Sequence, residues 1–286
     1  MSETVLDRAT AADVVRHPFP HIVIRDALPP ALLARLRTEA PPFQRVLTGR
    51  ENLRGRLPEN TRVHYVGQEL LADPTVSQVW RDFVTAHTSP AFLARLLGVF
   101  GEHVRALHPE LQRRFGELER IRAGMRHLDD YTRADMLLDA LLVFNTPVLT
   151  RPTSVRRAHL DSPRKLYTGL LYLRDPADHS LGGDLELCTI KTVRPRGFAG
   201  PEIHGEYVTP VKTISYDSNV LVMFLNSLDS VHGVSVRHPT PHHRCYVSLV
   251  GELQRPLFDL LPYQEPRHRH VLRRLKKLGE TWLRAP

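Results

Sequence analysis

The sequence predicts an α+β fold in which a mainly helical first half precedes an antiparallel β-sandwich or jelly roll. Apolar residues recur at helical spacing in the first half, whereas from about Asp135 onward they recur at strand spacing. Eight short strand-like runs then follow one another, with turn residues and no helices between them. We expect the N-terminal helices to pack on the outside of one sheet.

The first half contains a short strand-like run, several helical patterns and one irregular stretch. His21–Arg25 is a short strand-like run, and Ala31–Glu39 is a helix that ends before two prolines. Pro90–Phe100 and Glu110–Arg126 carry apolar stripes at helical spacing. The polar stretch Thr48–Thr61 predicts a loop.

The second half alternates strand-like runs with turn residues. The predicted strands are Leu141–Thr146, Val155–Leu160, Leu166–Leu173, Asp184–Ile190, Tyr207–Ile214, Asn219–Leu225, Val231–Arg237 and Cys245–Leu253. No linker rich in Pro, Gly or Ser divides the chain. We therefore expect a single domain over 1–286, with a mainly helical part (1–135), a β core (136–256) and a basic C-terminal helix (257–286).

The net charge of +8 is concentrated near the C-terminus. Residues 264–286 hold seven basic against two acidic residues, and apolar residues recur there at helical spacing. Such a helix docks its apolar face on its own domain, or contacts a membrane surface or a polyanion. Because the chain has no zinc-finger spacing and no Gly-rich phosphate loop, we expect no nucleic-acid partner.

The composition is that of an ordinary soluble protein, with 42% hydrophobic and 24% charged residues. No apolar run reaches the roughly 18 residues of a transmembrane helix. The acidic N-terminal residues argue against a signal peptide. Cys188 and Cys245 lie in apolar runs, as expected of core thiols in a reducing cytoplasm. The sequence does not indicate the oligomeric state.

The segment Ala158-His159-Leu160-Asp161-Ser162 carries two metal-ligating side chains. Residues i and i+2 of a strand point to the same face, so His159 and Asp161 can address one point. His232, in a later predicted strand, is the candidate for a third ligand. Two histidines and one carboxylate on one octahedral face leave three positions open, which suits non-haem Fe(II).

A co-substrate that chelates this metal would need a second anchor. The distal carboxylate of 2-oxoglutarate requires a buried, permanently charged partner, for which Arg is better suited than Lys. Arg244 lies 12 positions after His232 and opens the last predicted strand. Tyr172 is either a hydroxyl donor to the same carboxylate or a core aromatic residue. Arg237 is the competing anchor.

Several motifs occur in a fixed order along residues 140–253. They are His159-Leu-Asp161, Tyr167-Thr-Gly-Leu-Leu-Tyr172-Leu, Gly182-Gly183-Asp-Leu-Glu-Leu, Asn219-Val-Leu-Val-Met-Phe, Val231-His232-Gly-Val and Arg244. In this order the sequence resembles the Fe(II)/2-oxoglutarate-dependent dioxygenases, and among them the prolyl-4-hydroxylase-like group. The helical half resembles them only loosely.

The resemblance implies a double-stranded β-helix core of the jelly-roll or cupin-like type. It also implies a catalytic domain with Fe(II) held by His159, Asp161 and His232, and 2-oxoglutarate held by Arg244 with help from Tyr172. The implied reaction is an O₂-dependent oxidation that releases succinate and CO₂. Relatives that halogenate lack the carboxylate ligand, so Asp161 favours hydroxylation. Desaturation, epoxidation and cyclisation stay open.

Three hypotheses about the function of the chain stay open. They are hydroxylation of a small molecule (an amino acid, a sugar or a natural-product intermediate), hydroxylation of a protein side chain, and a non-oxidative metal-binding jelly roll. Arg156, Arg157, Arg164 and Lys165 flank the His-Leu-Asp motif and are either a solvated strand edge or an electropositive mouth for an acidic substrate. The loop Lys191–Glu206 is a candidate lid or substrate contact.

Overall fold

The computed structural model describes residues 3–47, 57–191, 202–203 and 205–260. Three predicted segments lie largely or wholly outside the described residues: most of the loop Thr48–Thr61, most of the loop Lys191–Glu206, and the basic helix over 257–286, which is outside from residue 261 onward. The rest of the chain forms a mixed α+β structure, so the predicted class is confirmed.

Helices fill the first half of the chain. Within the described residues they are α1 (Pro30–Thr38), α2 (Phe43–Val46), α3 (Gly67–Ala72), α4 (Gln78–His87), α5 (Pro90–Leu107) and α6 (Pro109–Phe115), with short 3₁₀ helices at Ala11–Asp13, Leu118–Arg120 and Gly205–Tyr207. The start of α5 follows from its sequence, because the Ser89 hydroxyl accepts the Phe92 N–H and Pro90 needs no partner there.

The predicted helix Glu110–Arg126 is wrong beyond its first turns. Helix α6 ends at Gly116, whose φ of 73° lies in the left-handed region that glycine adopts without strain. The chain then forms the 3₁₀ helix Leu118–Arg120 and a short strand, Ala123–Met125. The apolar residues of this segment are buried on both sides of the break, as Leu111 and Leu118 show.

The strands form two sheets. Within the described residues they are β1 (His21–Ile24), β2 (Arg62–Tyr65), β3 (Ala123–Met125), β4 (Met136–Asn145), β5 (Lys165–Tyr172), β6 (Leu185–Ile190), β7 (Val208–Ile214), β8 (Leu221–Leu225), β9 (His232–Val234) and β10 (Arg244–Leu253). The larger sheet has the order β1-β8-β5-β10-β4-β2, with β3 parallel to β4, and the smaller sheet has the order β7-β6-β9. Two facing sheets of this kind are consistent with the predicted double-stranded β-helix.

Strand β4 shows how the layers are built. All of its residues are buried, and successive side chains point to opposite faces. Leu138, Leu142 and Phe144 pack with the N-terminal helices, whereas Leu141 and Val143 pack with side chains of the smaller sheet. The helices therefore cover one face of the larger sheet, as predicted, and the other face encloses the space between the sheets.

One predicted strand, Val155–Leu160, is not a regular strand. Its neighbourhood forms only isolated bridges, Thr153 with Arg237 and His159 with His232. Six steps from Thr153 to His159 face five steps from Arg237 to His232, so one extra residue interrupts the ladder, as in a β-bulge. The remaining predicted strands of the second half all overlap an observed strand.

Among the described residues no single helix is long and apolar enough to cross a membrane. Helices α4 and α5 meet that test only as a pair, and they are bent by 52° relative to each other.

Candidate metal centre

Two histidines face each other across the gap between the His-Leu-Asp segment and β9. The His159 N–H donates to the His232 carbonyl (2.8 Å), and the His232 N–H donates to the His159 carbonyl (3.1 Å). This reciprocal pair fixes both backbones, and the two imidazole rings lie 4.2 Å apart between centroids. The extra residue in the ladder lies next to this pair, where bulges commonly redirect side chains towards a site.

The three predicted ligands come together in the structure. One ligand atom from each of His159, Asp161 and His232 lies within 4.8 Å of the others, and all three residues are buried. His159 Nε2 is 3.9 Å from Asp161 Oδ1. The prediction that these side chains share one point is correct in outcome. The strand-parity argument for it was wrong, because His159 and Asp161 do not lie in a regular strand.

Backbone carbonyls orient both imidazoles. His159 Nδ1 is 2.7 Å from the Arg157 carbonyl, and His232 Nδ1 is 2.9 Å from the Ser230 carbonyl. Because a carbonyl oxygen can only accept, each Nδ1 carries the proton and each Nε2 offers its lone pair. Metal-binding histidines are normally held in this way.

The charge state of the triad suits a cation. Burial lowers the pKa of His159, helped by His232 and Arg156, and burial also lowers the pKa of His232. Burial opposes ionisation of Asp161, but the nearby Lys165 and the two imidazoles outweigh it and hold its pKa below the usual value. At neutral pH the site therefore presents two neutral imidazoles and one carboxylate, the protonation states that metal binding requires.

One oxygen of the Asp161 carboxylate already accepts a hydrogen bond within the protein. Its Oδ2 accepts a hydrogen bond from the Thr168 hydroxyl at 2.6 Å and lies 3.4 Å from Lys165 Nζ. The amide of Asn226 in turn donates to the Thr168 hydroxyl at 3.1 Å. These contacts leave Oδ1 on the side of His159, which is the oxygen positioned to bind a metal.

The triad opens into a cavity of about 200 Å³ between the sheets. Its described lining includes the triad, Thr168, Leu170, Leu185, Ser248, Tyr246, Arg62, Arg156, Lys165 and Arg244. Asp161 is the single carboxylate in this described lining, against four basic side chains. The cavity therefore favours anions.

Arg244, the predicted co-substrate anchor, lines this cavity and is almost completely buried, with 1% of its surface exposed. Its Nε donates to the Gly183 carbonyl at 2.8 Å, and its guanidinium carbon lies 4.7–5.1 Å from the ring centroids of Tyr172, Tyr216 and Tyr246. Its Nη2 has no hydrogen-bond partner within the described part of the chain. A buried guanidinium with a spare donor is suited to bind a carboxylate.

Tyr172 occupies a less direct position than predicted. It packs against the guanidinium of Arg244, and its buried hydroxyl has no described hydrogen-bond partner. It is absent from the described lining of the cavity, whereas Tyr246 is present there. The helper role of Tyr172 stays a prediction.

The competing anchor, Arg237, already has a counter-ion. Its Nη2 lies 2.7 Å from Asp178 Oδ2, and both side chains are buried. Arg237 is also absent from the described lining of the cavity. The structure therefore favours Arg244 over Arg237.

The residues of the site that were missed from the sequence include Tyr246, Thr168 and Arg62. Tyr246 and Thr168 carried a usable signal, because each lies an even number of positions from a residue already chosen on its strand, Arg244 and Tyr172 respectively. Arg62 carried none, since its strand β2 is only four residues long and follows a stretch that reads as a loop.

The comparisons with known proteins give structural similarity only. No protein-family model matches the sequence, and no curated protein matches it. A prolyl-4-hydroxylase of Pseudomonas putida is similar in structure, with 14% identity, a TM-score of 0.44, and coverage of 85% of this chain and 98% of that chain. The non-heme alpha ketoglutarate-dependent carbocyclase SnoK from nogalamycin biosynthesis shares 12% identity with a TM-score of 0.43, covering 85% of this chain and 86% of its own.

A further similar structure is the epimerase SnoN in complex with Fe³⁺, alpha ketoglutarate and nogalamycin RO. It shares 12% identity with a TM-score of 0.42, over 91% of this chain and 90% of that chain. This chain is thus similar in structure to Fe(II)/2-oxoglutarate oxygenases, including a prolyl 4-hydroxylase, and it holds the His-Asp-His triad. At these identities and TM-scores the similarities carry no argument about its substrate or its activity.

Proposed function

We propose that this chain is an Fe(II)- and 2-oxoglutarate-dependent oxygenase built on a double-stranded β-helix, and that it hydroxylates a small molecule. One observation carries the proposal. The oriented His159–Asp161–His232 triad lines the same cavity as the guanidinium of Arg244, whose Nη2 has no hydrogen-bond partner among the described residues. The triad would hold a metal on one face, and Arg244 would receive the distal carboxylate of 2-oxoglutarate.

Bound Fe(II) with 2-oxoglutarate and O₂ would supply the oxidation, with succinate and CO₂ as co-products. The residues of this chain do the positioning. The carbonyls of Arg157 and Ser230 keep both Nε2 lone pairs directed at the site, and the Thr168 hydroxyl holds one Asp161 oxygen away from it. Leu170 and Leu185 add apolar surface to the cavity and reduce the access of water.

The size of the cavity supports a small substrate over a protein side chain. The described part of the cavity has a volume of about 200 Å³ and walls from both sheets, and a space of this size favours a small ligand over a segment of polypeptide. The presence of Asp161 supports hydroxylation over halogenation, because the carboxylate occupies the position that a halide would need.

The direct test is succinate formation from 2-oxoglutarate by protein loaded anaerobically with Fe(II) and then exposed to O₂, with pooled small-molecule candidates. His232→Ala should abolish metal binding, and Arg244→Ala should retain metal but lose affinity for 2-oxoglutarate. His179→Ala, at an exposed histidine, is the matched control. The oxygenase proposal would be overturned by a folded protein that binds the metal but forms no succinate, either with the pooled candidates or by uncoupled turnover in their absence. That result would favour a non-oxidative jelly roll.

A further inference from the structure

A row of three polar side chains crosses the larger sheet beside the cavity. Asn145 at the end of β4 pairs with Arg62 of β2 on one side and with Arg244 of β10 on the other. Directly paired residues of neighbouring strands project from the same face. Because Arg62 and Arg244 both line the cavity, the Asn145 side chain projects from that face as well, between these two arginines, although Asn145 itself is not part of the described lining.

Asn145 is a buried amide without partners. Its exposed fraction is 0%, and neither Oδ1 nor Nδ2 has a hydrogen-bond partner among the described groups. Leaving both ends of an amide unsatisfied in a core costs on the order of 1–3 kcal/mol for each group. Whichever way the amide is oriented, it needs both a donor and an acceptor, and a bound molecule can supply them.

Arg62 is exposed to solvent and has no ion pair with a carboxylate of the described residues. Its contacts within the described residues are with neutral groups, the Tyr246 hydroxyl at 3.2 Å and His64 Nδ1 at 3.5 Å. Arg244 is assigned to the co-substrate, and Asp161, once bound to a metal, no longer compensates Arg156, which lies 3.8 Å from it. The loaded cavity therefore retains two guanidinium groups without a described counter-ion, those of Arg62 and Arg156, both of which are partly exposed to solvent.

We propose that Arg62 and Asn145, together with Arg156 of the same cavity, form a subsite for an anionic group of the primary substrate. The inference rests on the proposed function, since it assumes that Arg244 and the triad are occupied. The substrate class is a small carboxylate or phosphate that also carries an N–H or O–H donor. Arg62 supplies the charge, and the Asn145 amide makes one hydrogen bond of each kind.

The test uses the protein loaded with 2-oxoglutarate and a redox-inert divalent metal, so that no turnover occurs and the co-substrate site is filled. Calorimetric titration then compares lactate, malate and 3-hydroxybutyrate with their primary amides, and with inorganic phosphate. We expect at least one anion to bind at least tenfold more tightly than its neutral counterpart. The carboxylate and phosphate arms identify which anion the subsite takes.

Two variants assign the subsite to its residues. Arg62→Gln and Asn145→Asp should each weaken anion binding about tenfold or more, the second by placing a like charge beside the anion. Arg62→Lys should recover part of the loss. Arg151→Gln is the matched control, because this arginine is exposed and absent from the described lining of the cavity.

The affinity for 2-oxoglutarate separates a substrate role of Arg62 from a co-substrate role. Titration of metal-loaded Arg62→Gln should give a 2-oxoglutarate affinity within about twofold of the parent. If that affinity falls as much as anion binding does, if acids and amides bind equally, or if none of these anions binds the loaded protein, the subsite inference is wrong. If the parent protein binds no 2-oxoglutarate at all, it is the proposed function that fails.

Discussion

Two buried arginines occupy neighbouring regions of the molecule and meet opposite electrostatic surroundings. Arg237 and Arg244 are each about 1% exposed, and both approach the same glycine, Gly183. Arg237 forms an ion pair with Asp178, which also accepts the Ser180 N–H. Arg244 has no ion pair with a described carboxylate and lies among three tyrosine rings.

The difference shows how a folded protein separates a structural cation from a binding cation. Burying a charge is costly unless it is paired, so Asp178 balances the charge of Arg237 without a ligand, although Nη1 of Arg237, like Nη2 of Arg244, has no described hydrogen-bond partner. Tyrosine rings partly compensate Arg244 through cation–π attraction but do not satisfy its Nη2. A buried guanidinium without a described counter-ion is available to bind an anion. We therefore expect the two arginines to respond to mutation in different ways.

The largest expected effect is on stability, at the paired arginine. Asp178→Asn removes the counter-ion and leaves the Arg237 charge buried, which should lower the free energy of unfolding by about 3–5 kcal/mol. Urea unfolding measures this. The double variant Asp178→Asn/Arg237→Met should be more stable than the single one, because the unpaired charge is gone. Equal stability of Asp178→Asn and the parent would contradict the structural role.

The next effect is on binding, at the unpaired arginine. Arg244→Met should weaken 2-oxoglutarate binding by about 2–5 kcal/mol, roughly 30-fold or more, since the co-substrate carboxylate would lose its partner. Without ligand, the variant should unfold at the same urea concentration as the parent or a higher one. Anaerobic titration and urea unfolding give the two values. A large loss of stability with unchanged binding would reverse the assignment of the two arginines.

The buried His87 extends the comparison to a side chain whose two ring nitrogens both have hydrogen-bond partners while the ring is neutral. The Val5 N–H donates to His87 Nε2 at 3.0 Å, and His87 Nδ1 lies 2.7 Å from the Phe83 carbonyl. Burial lowers the pKa of His87 to about 4. Since an unfolded histidine has a pKa of about 6.5, the unfolded state binds more protons between these values, and stability should fall as pH falls through this window.

The His87 contribution amounts to about 3 kcal/mol between pH 6.5 and 4. Urea unfolding at a series of pH values should show it as a difference in slope between the parent and His87→Gln, which removes the titrating group. His179→Gln, at an exposed position, should keep the parental slope. The same slope in His87→Gln and the parent would show that His87 is not held neutral.

The comparison of the two arginines also shows what the sequence could predict. Spacing after His232 favoured Arg244, but only the structure shows that Asp178, 59 positions before Arg237, neutralises the competitor. Long-range pairing of this kind leaves no periodic signal. For the same reason Arg62 was missed, since its position beside Asn145 depends on which strands pair.

Local patterns predicted the strands well and the irregular backbone poorly. Strands β5 to β10 follow from short strand-like runs separated by turn residues, whereas the extra residue between Thr153 and His159 has no signature in residue type. Gly116 could have ended the predicted helix Glu110–Arg126, but a glycine within an apolar stripe is also tolerated inside helices. The candidate metal ligands could be identified because the His-Leu-Asp motif is local, although its backbone is not the expected strand.

The smallest expected effect is on metal affinity, at Asp161. Its Oδ2 accepts a hydrogen bond from Thr168, whereas its Oδ1 lies on the side of His159. Thr168→Val keeps the shape but removes the hydroxyl that holds Oδ2 at 2.6 Å, so the carboxylate should be less well oriented towards a metal. Loss of such an orienting contact costs roughly 10- to 100-fold in metal affinity. Competition with a metal-binding dye measures this, with Thr209→Val on the exposed side of β7 as control. Unchanged affinity in Thr168→Val would mean that Lys165 and the protein backbone are sufficient to orient Asp161.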